Sequence, residues 1–389
     1  MKNINYILVF LFFFQACSKN NSQLEDFDFT VEKQIEIEND VYSLDFLNFT
    51  KINDSLIYGY DVTKAVVFKY DNSGELIKSN RFQNGINEID FLHIGHLYSL
   101  NKDSIFIIES ARGNIILLDS ELEIKNSWNI RKLVKEKIYT GGGKSQIIKF
   151  ETLNNEPFIT LSAGDRNYQS NQKMFFENSF LAIKVNLNTG EFLPLFQYPL
   201  ESPYRQYLFW GDETPHFIYY DGEYFTSFPF DPNIYIFSEK SNEYKIIQYN
   251  GVLNKTAIGV DFNVDQGEFQ KNHYIDVNHN LNDYNLISEN LLSISGKKYF
   301  VRCVRKALNQ KNLEIKDLNT YAISSPKHDY IIQIVDLNKK EPYKWKEYVL
   351  PQEYRNFTYI DKNGKFYFEK VNKDSEEYKI DIVSWDIND

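Results

Sequence analysis

The sequence predicts a β-propeller, and three observations carry that expectation. A layout at 54–78, DSLIYGYDVTKAVVFKYDNSGELIK, returns at 103–125 as DSIFIIESARGNIILLDSELEIK. Each copy runs polar turn, apolar run, short turn, apolar run, polar turn and a weaker third run, which is the order of a β-meander. Residues 56–60 and 65–70 are apolar at nearly every position rather than every second one, so both faces of the sheet need covering. Finally, residues 27–37 (FDFTVEKQIEI) alternate as a strand with no hairpin partner beside them, while 356–387 supply three strands and then stop. Meanders stacked face to face around an axis cover both faces, and an N-terminal strand lent to the last blade closes the ring. Residues 29–38 are therefore expected as the outer strand of the C-terminal blade.

Lys2 precedes an apolar run over 4–14, followed by Gln15-Ala16-Cys17 and the polar stretch SKNNSQ. This is the charged, apolar and small-residue order of an export signal, and the run is short for a membrane span. Cys17 stands where a bacterial lipoprotein signal places its lipidated cysteine; the alternative is a plain secretory signal with an incidental Cys. The expected organisation is a signal peptide at 1–16, a tether at 17–26 and a single propeller at 27–389. With Cys17 acylated, Cys303 is left alone and forms no internal disulfide. Its setting, KKYFVRCVRK, reads as a buried strand position.

The first blade spans about 42–82, with its inner strand near 46–50, and the second about 89–128, with inner-strand residues around 93–100. QIIKFETL, PFITLSA, SFLAIKVNL and EFLPLFQYP make the third; HFIYYDG, EYFTSFPFD, NIYIFSEK and EYKIIQY make the fourth. The fifth is less regular, with LLSISGKKYFVRCVRK, DYIIQIVDL and KWKEYVL, and the C-terminal strands form the sixth. Six blades are expected, or seven if 254–285 holds a degenerate one. Turn signals at Asn188, Asp221 and Asn363 fall between runs, as hairpins require. Three stretches break the pattern: 131–144, the most helix-like; 200–215, rich in rings; and the polar 255–285. Insertions between repeats gather on the working face.

The net charge of −11 and the lack of a long basic run exclude nucleic acid as an expected partner. No chemical motif survives inspection. Gly143-Lys144-Ser145 has Ile138 where a phosphate loop needs glycine. His93 and His96, three apart in a strand pattern, point to opposite faces. Aspartates at 54, 61, 71, 103, 119, 221, 231 and 336 recur at strand ends and read as turn caps. No cofactor or metal is expected, and no catalytic residue is nominated.

The candidate site is the mouth where outer-to-inner links and second-to-third turns share one face. Residues 81–90, 164–170 and 200–215 bring Arg81, Asn87, Glu88, Arg166, Tyr168, Arg205, Tyr207, Trp210, Asp212 and His216 toward it. Guanidinium groups grip oxygen pairs while rings stack on sugar or peptide faces. The competing reading is that the rings plug the mouth and Glu88 caps a turn.

FQNGINEI at 82–89, followed by DSIFIIES and a strand ending LLDSELEI, resembles the blade-linking pattern F-x-x-G-P-x-E-[IF] of six-bladed propeller lipoproteins of Bacteroidetes, the domain-of-unknown-function family 4221. Ile86 stands in place of the usual Pro. The resemblance implies an exported, lipid-anchored propeller, on the periplasmic face or the cell surface, and transfers no catalytic residue. Three functions stay open: a membrane-tethered module binding a glycan, peptide or envelope protein; a hydrolase or lactonase with a metal or carboxylate site in the axial channel, where Glu88, Asp212 and His216 come first; and a structural subunit of an envelope complex.

Overall fold

Strand alternation shows why the sheets stack. In strand Leu56–Asp61, Ile57 and Tyr58 point to opposite faces, and in Val66–Asp71 Val66, Phe68 and Tyr70 oppose Val67. All six are buried, but in different places. Ile57, Val66, Phe68 and Tyr70 pack with Ile35, Ile37, Tyr367, Tyr378 and Ile380, whereas Tyr58 and Val67 pack with Ile105, Ile107, Ile116 and Leu118. One sheet thus has an apolar neighbour on either side, as its continuous apolar runs demand.

The computed structural model describes residues 24–385 except 38–46, 54–55, 62–63, 83–93, 110–111, 140–144, 170–171, 210–213, 241–242, 252–258, 260, 264–284, 307–314, 318–321, 324–328, 340 and 371–377. Among the described residues six antiparallel sheets form the blades of a propeller. Blade I comprises Leu47–Asn53, Leu56–Asp61, Val66–Asp71 and Leu76–Arg81; blade II, His96–Asn101, Ser104–Glu109, Asn114–Leu118 and Ile124–Asn129. Blade III comprises Ile147–Leu153, Glu156–Ser162, Phe180–Asn186 and Phe192–Gln197; blade IV, His216–Tyr220, Glu223–Phe228, Asp231–Ser238 and Tyr244–Ile247. In blade V the run expected around LLSISGKKYFVRCVRK divides into Asn285–Ile294 and Lys297–Arg305, followed by Tyr330–Asp336 and Trp345–Val349. Blade VI holds Tyr354–Ile360, Phe366–Lys370 and Tyr378–Ser384. An apolar cluster fills each of the six interfaces, including the one from blade VI back to blade I.

The ring closes as the sequence predicts. Thr30–Ile37 pairs antiparallel with Tyr378–Ser384, setting Thr30 opposite Ser384 and Ile37 opposite Tyr378. One expectation needs correction: Glu25 and Asp26, assigned to the tether, form a parallel pair with Tyr348 and Val349 at the edge of blade V. The cause is Phe27. Its N–H donates to Val349 O at 2.9 Å, and its ring lies 5.1 to 5.8 Å from those of Tyr348, Phe366, Phe368 and Trp385. A buried ring at the joint draws the preceding residues onto the neighbouring edge.

The helix-like stretch also shrinks. Among its described residues only Ile130–Leu133 is helical, capped by Asn129, whose side chain accepts from the Lys132 N–H. Lys135 and Glu136 then turn left-handed, at φ 54° and 59°, and end it. Cys303 is buried in the cluster between blades V and VI, where burial pushes its thiol pKa up. At the strand ends, carboxylates cap turns. Asp71 accepts from the N–H groups of Ser73 (2.7 Å) and Glu75 (3.1 Å), and Asp119 from those of Glu121 (2.8 Å) and Glu123 (2.9 Å). Asp231 accepts from the Asn233 N–H (3.0 Å) and the Tyr235 hydroxyl (2.7 Å). At 221–222 both residues have positive φ, 52° and 82°, as a two-residue hairpin turn requires.

The joint sets a stability prediction. Phe27→Ala should cost about 3 kcal/mol or more in denaturant unfolding, whereas Val31→Ala, on the exposed side of the closing strand, should cost less than about 1 kcal/mol. Equal effects would show that the joint does not secure the ring.

Candidate ligand-binding site

In an up-and-down blade, the second-to-third turn and the link from the outer strand to the next inner strand lie at the same end. The other end carries short turns such as 101–104 and 220–223, so the insertions of blades II to V share one face. The expected site residues divide there. Asn87, Glu88, Trp210 and Asp212 lie outside the described residues, as does His93. Arg81 ends the outer strand of blade I and is exposed. Arg166 forms an ion pair with Glu136 on the surface. Tyr168 packs against the cluster between blades III and IV. Tyr207 is exposed beside Gly259, where an added Cβ would stand 2.3 Å from the Tyr207 Cβ. His216 opens the inner strand of blade IV near His96, which opens that of blade II; burial and this neighbour push the His96 pKa down to about 4.

Arg205 belongs elsewhere. It ends the short 3-10 turn Pro203–Arg205, and its Nε and Nη2 donate to Tyr198 O (3.0 and 2.9 Å) while Nη1 donates to Glu177 O (3.2 Å). This clamp folds the link from blade III to blade IV against the helix Lys173–Asn178. The Tyr244 hydroxyl secures the same link, donating to Glu201 Oε2 (2.6 Å) and accepting from the Leu200 N–H (3.0 Å). Between these ties lies a groove of about 750 Å³, within the range of about 300–1,000 Å³ for small-ligand sites. Phe180, Phe192, Phe196, Tyr198, Phe237 and Tyr244 supply its rings, and Lys137, Asp165, Asn167, Asn178, Gln197 and Arg205 its polar groups.

The local sequence explains the shape. Phe196 has φ 58°, rare for a bulky residue, so the outer strand of blade III breaks its course there. The turned ring stacks on Phe237 of blade IV, 4.7 Å between centroids at 27°. The reading from sequence included Arg205 but missed Asp165, Asn178, Phe192 and Tyr244. The available signal was the ring density of FLPLFQYPLESPYRQY at 192–207.

A second polar feature lies between blades IV and V. Glu289, Arg302, Gln333 and Glu347 are direct cross-strand neighbours and form one row across blade V. Arg302 is fully buried; its Nε donates to Gln333 Oε1 and its Nη2 to Pro232 O, both at 2.7 Å, and it lies 4.3 Å from the Trp345 ring centre. Gln333 Nε2 in turn donates to Glu347 Oε1 at 2.5 Å. At the inner end, both Glu289 carboxyl oxygens are shut off from water, although the residue as a whole is only partly buried. Burial pushes its pKa up to about 7, with Ser227 and Arg302 acting the other way. Among the described residues, no three His, Cys, Asp or Glu side chains gather as a metal site would need.

No family model matches the sequence, and no curated protein matches it either. Solved structures do. A member of the domain-of-unknown-function family 4221 from Bacteroides vulgatus superposes with a TM-score of 0.58 at 12% identity, covering 93% of this chain and 99% of that one. This chain has that family member's fold. A protein named as a candidate for export from Bacteroides fragilis aligns at 9% identity with a TM-score of 0.49, over 93% of this chain and 99% of its own. A streptogramin B lyase aligns at 10% identity with a TM-score of 0.39, over 91% and 98%.

The two perturbed groups act on stability in opposite senses. An unfolded Glu289 ionises near 4.5, the folded one near 7, so the folded state holds the extra proton between these values. Stability falls as pH rises through that window, by up to about 3 kcal/mol. For His96 the folded value lies below the unfolded 6.5, so stability falls as pH drops from 6.5 toward 4. Glu289→Gln should therefore raise the melting temperature over wild type at pH 8 and leave it unchanged at pH 4. A gain of the same size at both pH values would contradict the buried-acid assignment.

Proposed function

We propose that this propeller is an exported binding module, held at the cell envelope by a lipid on Cys17 and engaging a glycan, peptide or envelope protein on its insertion face. The groove beside blade III carries this reading: it combines accessible rings with a rim of amides, a carboxylate and cations, the make-up of a site that holds a small ligand. Further support comes from the asymmetry of the blades, tight capped turns at one end and insertions at the other. The sequence 2–17 supports export and anchoring, with the small Ala16 before Cys17.

Two measurements test it. In a host of the Bacteroidetes phylum, wild type should partition into the detergent phase of Triton X-114, and Cys17→Ser should move to the aqueous phase; partition of both alike would remove the anchor. On arrays of glycans and peptides, the purified protein should capture at least one class and release it unaltered. Conversion of the captured compound would instead support the hydrolase or lactonase reading.

A further inference from the structure

We infer that the groove beside blade III is an oligosaccharide site, an assignment that rests on the binding-module reading and narrows it to one place and one ligand class. Sugars present two surfaces: C–H faces that lie against aromatic rings, and hydroxyls that both donate and accept hydrogen bonds. The groove answers both. Phe180 and Phe192, 6.4 Å between centroids and tilted by 56°, are only partly buried and keep ring surface for a ligand. Around them stand the exposed amides Asn167, Asn178 and Gln197, each with a donor and an acceptor, and the carboxylate of Asp165.

Other occupants fit less well. An extended peptide that adds a strand needs an unbroken row of backbone groups on the edge. Pro194 removes an N–H in the middle of Phe192–Gln197, and Phe196 leaves the extended conformation three residues before Pro199. A polyanion needs free cations, yet the Arg205 guanidinium is committed to the carbonyls of Tyr198 and Glu177, and the Asp165 carboxylate lines the same groove as Lys137, on the strand paired beside it. An acyl chain would offer no hydrogen-bond partner to the three amides and the carboxylate at the rim.

The test is titration calorimetry with cellohexaose, xylohexaose and chitohexaose against the purified protein. Wild type should bind at least one of them. Phe192→Ala should weaken that binding at least about tenfold while the protein stays folded by circular dichroism, and Asn167→Ala, an exposed change with no packing role, by a few-fold with the melting temperature within about 2 °C of wild type. Tyr207→Ala and His216→Ala, toward the mouth, should leave the affinity unchanged. Loss of binding in those two with full affinity in Phe192→Ala and Asn167→Ala would overturn the groove as the site while leaving the binding module standing. Binding of none of the three sugars by wild type, with capture of a peptide on the arrays, would overturn the sugar assignment alone. Capture of nothing in either experiment would overturn both.

Discussion

A sheet that is apolar on both faces cannot rest against water on either side, and this constraint organises the molecule. Each fully buried Ile, Leu, Val or Phe contributes about 1.5–3 kcal/mol relative to exposure, so an unpaired blade face forfeits more than the whole stability of a typical domain. Stacking is the remedy, and a stack has two bare ends unless it closes. The cluster in which Ile35 and Ile37 of the N-terminal strand and Ile380 of the last blade meet Ile57 and Phe68 of the first is where the ends meet. Phe27 then binds the closing segment to blade V as well, so the joint is held from two sheets.

Not every interface is filled alike. Between blades III and IV the cluster is dense with rings, and at its rim Lys184 bridges Glu151 (2.6 Å) and Glu239 (2.8 Å). Between blades IV and V the apolar contribution is smaller, and the row from Glu289 to Glu347 replaces hydrocarbon with hydrogen bonds. A strand shifted by one residue would take Gln333 away from the buried Arg302, so the row favours the observed register. The inner acid is where the row is least compensated, which is why its proton is held so firmly.

The rigid ring leaves the insertions free to specialise. The link from blade III to blade IV is not loosely draped: Arg205 ties it to Tyr198 and Glu177, and Tyr244 ties it to Glu201. Arg205 was nominated for its ability to grip a ligand's oxygens, yet here it grips backbone carbonyls. Its part in the groove is to hold the wall in place. The accessible chemistry belongs to shorter, less conspicuous residues: Asp165, Asn167, Asn178 and Gln197.

What the sequence determined was the architecture, since periodicity, turn residues and an orphan strand are local signals. The repeated apolar runs specify covered sheets; DNSG, DSELE, NLNTG and DKNG specify the capped ends; FTVEKQIEI specifies a strand with a distant partner. Tertiary structure alone decided which side chains meet. Phe192 of blade III and Phe237 of blade IV reach one groove through the twist of two sheets and a left-handed Phe196, none of which leaves a periodic trace. Glu289 and Arg302 become neighbours through strand register, and His96 and His216 through the curvature of the ring. Periodicity tells a residue which face to occupy, but contact between residues far apart in the chain depends on how whole blades are set against each other.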